Sequence, residues 1–215
     1  MTRAEPVSAP RRTLLSRVFY LARRAWQMEI GIWQSLWRFL TGRRRVPSGA
    51  KAFGYVGPVQ TVLIVFIVLS AVEIPIIDLI VHPWPWLRIP LLAAGIWGVT
   101  WMLGLLLGYI TRPHSVGPAG ISVRSGPEVD IVVPWADVYS VEIRREHEEK
   151  APKVAPAEDG AGDVLKLWMQ DETNLAVRFE RPLVVRMPTG YVTVIETRFW
   201  ADDPRAFLAE ARRHL

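Results

Sequence analysis

Glu73 and Asp78 are the residues best placed for unusual chemistry, because both carboxylates stand inside a long apolar run, Val59–Val81. A carboxylate in hydrocarbon is costly unless it is protonated, paired or facing a polar path, so it is a functional-site hypothesis by default. In a helix starting at Val59, Glu73 lies about 21 Å along the axis and Asp78 about 28 Å. Asp78 is then near the far end, with Glu73 one to two turns below it. Pro75 between them lacks a backbone donor and can kink the helix. His82 and Arg88 lie at the same end and are the expected partners of Glu73. Two chemistries fit: an ion- or proton-coupled carrier centred on Glu73, or a protonated or paired Glu73 that only pins two helices. The second is favoured. A proton relay wants further polar positions, and the next apolar run, Leu87–Ile110, offers only Thr100.

Little else in the chain has a chemical spacing. His82, His114, His147 and His214 are scattered, and His147 lies in the charge run Glu146–Glu149 without the i, i+4 partner of a zinc helix. Cysteine is absent, which excludes disulfides and thiolate metal sites. There is no phosphate-binding glycine loop, nucleophile elbow or convincing carboxylate pair in the polar half. No enzyme activity, cofactor or metal is expected.

The two apolar runs each exceed the roughly 20 residues a helix needs to cross about 30 Å of hydrocarbon. Residues 59–111 therefore read as a transmembrane helical hairpin turned by His82-Pro83-Trp84-Pro85-Trp86, with Trp84 and Trp86 as interface anchors. Gly104 and Gly108 form a small-xxx-small spacing suited to close helix packing, on the first span or on a second copy of the chain. The charge is uneven. Residues 1–51 hold ten Arg and one Lys against Glu5 and Glu29, a net of +9, whereas the chain from Arg112 onward is net −3. Arg43, Arg44 and Arg45 are expected to meet anionic lipid headgroups or, alternatively, only to fix topology. Both termini are then cytoplasmic in a multi-pass protein of the cell membrane. A net acidic globular half argues against nucleic acid.

Residues 1–12 are expected to be a disordered tail. Thr13–Thr41 has Leu15, Phe19, Trp26, Ile30, Trp33, Trp37 and Leu40 on one side, with Arg-rich positions opposite. That pattern predicts an amphipathic helix in the headgroup plane, or one packed on the hairpin or the globular domain. Gln27, Glu29, Gln34 and Arg38 argue against a third span. Residues 42–58 read as a basic linker.

From Arg112 the periodicity changes to alternation. Gly120–Arg124, Val129–Pro134, Val138–Arg145, Val164–Met169, Asn174–Phe179, Leu183–Met187 and Tyr191–Thr197 read as strands. Residues 146–163 read as a flexible loop. Asp202 or Asp203 caps a final helix beginning at Pro204. An open barrel or sandwich with a C-terminal helix is expected. Within it, Gly120-Ile-Ser-Val is followed by Pro134-Trp135-Ala-Asp137-Val138-Tyr-Ser-Val141. These segments resemble the Gly-apolar-x-apolar and Pro-Trp-x-Asp-apolar strands of bacterial pleckstrin-homology-like (PH-like) domains. The layout over residues 59–215 is similar to that of uncharacterised actinobacterial two-span membrane proteins. The excess of Arg over Lys, 22 to 4, agrees with a high-GC genome. The resemblance implies a membrane hairpin plus an all-β PH-like domain with a C-terminal helix. In it Trp135 covers a barrel end and Asp137 accepts backbone N–H groups at a turn. Arg124 stands beside Glu128 and Asp130 without a basic cluster, which argues against inositol-phosphate recognition.

The expected function is a membrane scaffold or adaptor whose PH-like domain docks a protein partner. The alternative is an accessory subunit of an envelope transporter or synthase, contacting its neighbour through Glu73 and Gly104/Gly108. Membrane lipids are expected partners, and a homo-oligomer is left open.

Overall fold

The computed structural model describes residues 26, 29–31, 33–34, 36–37, 39, 41, 46–126, 129–188 and 190–215. Arg43, Arg44 and Arg45, the expected tail 1–12 and the first half of the expected amphipathic helix lie outside the described residues.

The apolar runs form helices α1 (Gly57–Val81, 25 residues) and α2 (Pro85–Ile110, 26 residues). Each starts with proline in its first turn, where the missing N–H costs nothing. At 1.5 Å per residue both are long enough to cross about 30 Å of hydrocarbon. They are apolar all round and most of their large side chains point outward, among them Val65, Leu69, Leu79, Ile89 and Trp97. Gly95 marks a tight approach: a Cβ there would stand 2.8 Å from Ile74 Cγ1. Gly95→Leu is therefore expected to separate the helices at that level and lower the melting temperature. Thermal unfolding of the full chain in detergent checks this, with Gly98→Ala as the control, because a Cβ at Gly98 meets nothing within 4 Å.

The described residues from Trp26 to Phe39 are helical, as the periodicity predicts. Trp26, Ile30, Trp33 and Trp37 are all exposed. Glu29 Oε1 accepts hydrogen bonds from Trp33 Nε1 and from Trp97 Nε1 of α2, each at 3.3 Å. The segment thus touches the hairpin near the middle of α2.

The expected linker contains a strand. β1 (Lys51–Phe53) pairs antiparallel with β2 (His114–Gly117), Phe53 opposite His114. The hairpin is therefore an insertion between two neighbouring strands of one sheet, and both its ends return to that sheet. β3 (Gly120–Ser125) and β4 (Val129–Val133) complete a four-stranded sheet in the order β1-β2-β3-β4. A 3₁₀ turn, Trp135–Asp137, leads into the second sheet. That sheet contains β5 (Val138–His147), β6 (Val154–Pro156), β7 (Asp163–Leu167), β8 (Glu172–Met187) and β9 (Gly190–Phe199), in the order β5-β8-β9-β7-β6. β7 and β9 run parallel and the other pairs antiparallel.

The two sheets share one core. Ile121, Val123 and Val133 from the first meet Leu165, Leu175, Val177, Val194 and Phe199 from the second. Helix α3 (Pro204–Ala211) adds Phe207 and Ala211, both fully buried. Asp203 caps α3 by accepting the Ala206 N–H at 2.9 Å. The sheets do not join into a closed barrel.

Other differences from the sequence reading are local. Asn174–Phe179 and Leu183–Met187 belong to one continuous strand, β8, whose register shifts between Arg178 and Leu183. The irregularity accommodates Pro182, which cannot donate to a regular ladder. Within the expected loop 146–163, Glu146 and His147 extend β5, and Val154–Pro156 adds an edge strand paired with β7.

Candidate functional site

A cleft of about 170 Å³ opens between the two long helices, lined by Ser70, Glu73, Asp78 and Arg88 over a floor that includes Gly95 and Gly98. Asp78 and Arg88 close one end as a two-point ion pair. Arg88 Nε and Nη2 donate to Asp78 Oδ1 and Oδ2 at 2.6 and 2.9 Å. The paired forks match a planar guanidinium to a carboxylate. Arg88 is thus committed to Asp78 rather than to Glu73, the partner expected from the sequence. Glu73 is exposed beside the cleft and has no hydrogen-bond or ion-pair partner among the described residues. His82 is exposed in the turn between the helices. Gly104 is buried within α2 and Gly108 half-buried.

Where the hairpin meets the β domain, a second cluster has a different character. His114 is 1% exposed, stacked on Tyr55 at 4.6 Å between ring centres and edge-on to Phe199 at 4.8 Å. The Arg124 N–H donates to His114 Nδ1 at 3.0 Å. That bond assigns the proton to Nε2, which donates to the Trp200 carbonyl at 2.9 Å. Burial pushes the imidazole down to about 4, outweighing the Trp200 hydrogen bond, and the Arg124 guanidinium adds to the depression. Arg124 itself donates to the Pro113 carbonyl at 3.0 Å and pairs with Asp130 at 3.1 Å. The Tyr55 hydroxyl accepts the Gly126 N–H at 3.2 Å, and burial pushes its phenol up.

Asp202 fastens the same junction from the other side. Its Oδ1 accepts the Gly57 N–H at 2.9 Å, at the positive end of α1, and the Trp200 indole N–H at 3.2 Å. Its own N–H donates to the Gly54 carbonyl at 2.9 Å. Gly54 and Gly57 permit this approach, because a Cβ on either would stand within 2.7 Å of an Asp202 carboxylate oxygen. None of these residues carries a sequence signal for the role. A lone histidine or tyrosine beside an apolar run does not announce that a strand will enclose it.

In the Pro-Trp-x-Asp segment, Trp135 donates its indole N–H to the Gly117 carbonyl at 2.9 Å and stacks on His214. Asp137 Oδ1 accepts from Arg181 Nη2 at 2.6 Å rather than from the backbone. The motif glycine, Gly120, has φ of +133° and lies against β4, where a Cβ would meet the Val133 carbonyl oxygen at 2.1 Å. These contacts splice the first sheet to the second and to the end of the chain.

Among the described residues no group of three His, Asp or Glu side chains is placed to hold a metal ion. Comparisons with protein-family models, curated proteins and solved structures return no match.

Proposed function

We propose that the hairpin crosses the cell membrane with both ends cytoplasmic, and that it mounts a PH-like β domain at the membrane surface as an adaptor for a protein partner. The observation that carries this reading is the pairing of β1 with β2 across the base of the hairpin, reinforced by the Asp202 contacts with Gly54 and Gly57. A flexible tether would suffice for an anchor alone. A domain stapled to both ends of its anchor is suited to presenting one face in a constant orientation. The orientation rests on charge: the arginines before β1 and Arg112 after α2 flank one end. The opposite turn has only Arg88, already neutralised by Asp78.

Photoreactive residues at Tyr139 and Val184, both exposed on the β domain, and at Leu69 beside Glu73 test the reading in native membranes. Mass spectrometry is expected to identify the same protein partner from the two β-domain positions. Capture only from Leu69 would reject the adaptor reading. It would favour an accessory subunit acting through its helices, a reading supported by the unpartnered, exposed Glu73 at the cleft between them. Capture of lipid or of a second copy alone, from all three positions, would remove both.

A further inference from the structure

We infer that the outer face of the five-stranded sheet is a docking site for an extended acidic segment of a partner protein, occupied in the resting chain by its own acidic turn. This rests on the adaptor reading and names the chemistry of the surface that reading requires. Three arginines stand on adjacent strands of that face: Arg144 on β5, Arg178 on β8 and Arg198 on β9. The turn between β6 and β7 folds over them and presents two successive carboxylates. Glu158 Oε1 takes Arg144 Nη2 and lies 3.7 Å from Arg198 Nη1, so two guanidinium groups share one oxygen. Asp159 Oδ2 accepts from Arg178 Nη2 at 2.6 Å.

The turn is built to present those acids. Ala157 N–H donates to the Gly162 carbonyl at 2.7 Å, Gly160 N–H to the Ala157 carbonyl at 3.0 Å, and Ala161 N–H to Asp159 Oδ1 at 3.0 Å. The base of the turn is fixed by the Pro156–Asp163 pairing and by Gly162 against Ile195, whereas the hold of its carboxylate tip on the sheet is slight. Glu158 and Asp159 are 74% and 45% exposed, and exposed ion pairs contribute little and weaken with salt. With the turn displaced, Arg198 keeps Glu196 and Glu146. Arg144 and Arg178 have no other ion-pair partner among the described residues. The present occupant is a polypeptide with adjacent carboxylates, and planar guanidinium groups on neighbouring strands suit a second such segment. The surface therefore alternates between a closed form satisfied by the chain itself and an open form satisfied by the partner.

The probe is a fluorescent peptide with the sequence of residues 154–163, added to the full chain in phosphatidylcholine nanodiscs. Glu158→Ala with Asp159→Ala is expected to raise its affinity about tenfold, by removing the competing carboxylates, with the gain shrinking as salt rises. Adding Arg144→Ala and Arg178→Ala is expected to abolish the gain. A thermal melt of each variant keeps a folding defect distinct from a binding loss. Equal affinity for the original and the opened chain, or no binding to a folded opened chain, overturns the proposal. So does displacement of the peptide by phosphatidylglycerol discs at matched ionic strength, which assigns the arginines to lipid phosphate. If the proposal fails while Tyr139 and Val184 still capture a partner, the adaptor reading stands and its docking surface lies elsewhere.

Discussion

Arg198→Ala is expected to destabilise the β domain by about 3–5 kcal/mol, the range for removing one partner of a buried ion pair. The Arg198 and Glu196 side chains are 4% and 5% exposed, joined by a 2.6 Å hydrogen bond from Arg198 Nε to Glu196 Oε1. Arg198 Nη1 also reaches Glu146 at 2.8 Å, and Glu146 in turn pairs with Lys166. Glu146 can fall back on Lys166 when the arginine is removed. Glu196 would lose its one close ion pair and keep only the longer-range attraction of Arg178, which faces it across β8 and β9. The double substitution Arg198→Met with Glu196→Leu removes both charges and is expected to recover most of the loss. Denaturation of the full chain in detergent, followed by tryptophan fluorescence, measures both effects. A loss below about 1 kcal/mol for the single variant would show that the pair behaves as an exposed one.

Acidification is expected to loosen the junction between hairpin and β domain through His114. Its folded pKa of about 4 lies below the ordinary histidine value of 6.5. Between those values the unfolded chain binds the proton and the folded chain does not, so stability falls as pH falls. The contribution is complete above pH 6.5, declines from there to pH 4 and is exhausted below it, about 3 kcal/mol in all. The comparison is stability against pH for the original chain and for His114→Gln. Glutamine leaves an amide near the Arg124 N–H and the Trp200 carbonyl but has no proton to gain. The difference between the two curves should shrink as pH falls through this window. A difference independent of pH would remove His114 as the source. Glu146, whose carboxyl is held low by Lys166 and Arg198 despite partial burial, titrates in both chains and cancels.

Much of the architecture is legible in the sequence because single strong terms decide it. An apolar run of more than 20 residues, too long for a strand, points to a long helix, and α1 and α2 are such helices. Pro204 after two candidate caps, Asp202 and Asp203, announces α3, with Asp203 proving to be the cap, and alternation marks β4 and β5. The failures have physical causes too. β1 is three residues inside a stretch of Arg, Pro and Gly, too short to show a period, and is fixed by its partner across the hairpin. All four residues of β2 are buried, so alternation has nothing to report. β6 is held by its edge pairing with β7, a tertiary decision. In the candidate site, Glu73 and Asp78 stand out because carboxylates are rare in apolar helices. Which of them Arg88 would serve depends on how the hairpin turn aligns the helices. His114 gives no sign of its environment until β1 closes over it.

The placement of the hairpin between β1 and β2 also orders events during synthesis. β1 leaves the ribosome before either long helix exists, and its partner β2 emerges only after both. Phe53 can lie opposite His114 only when the intervening helices have brought their ends back to one side. With the hairpin in a membrane as proposed, a chain in which one helix inserted and the other did not would strand β1 across the bilayer from β2. Its β domain would lack an edge strand and the Phe53–Phe207 contact. On the proposed topology, pairing of β1 with β2 therefore requires that both helices have inserted, and a mis-inserted chain would expose unpaired backbone and apolar core.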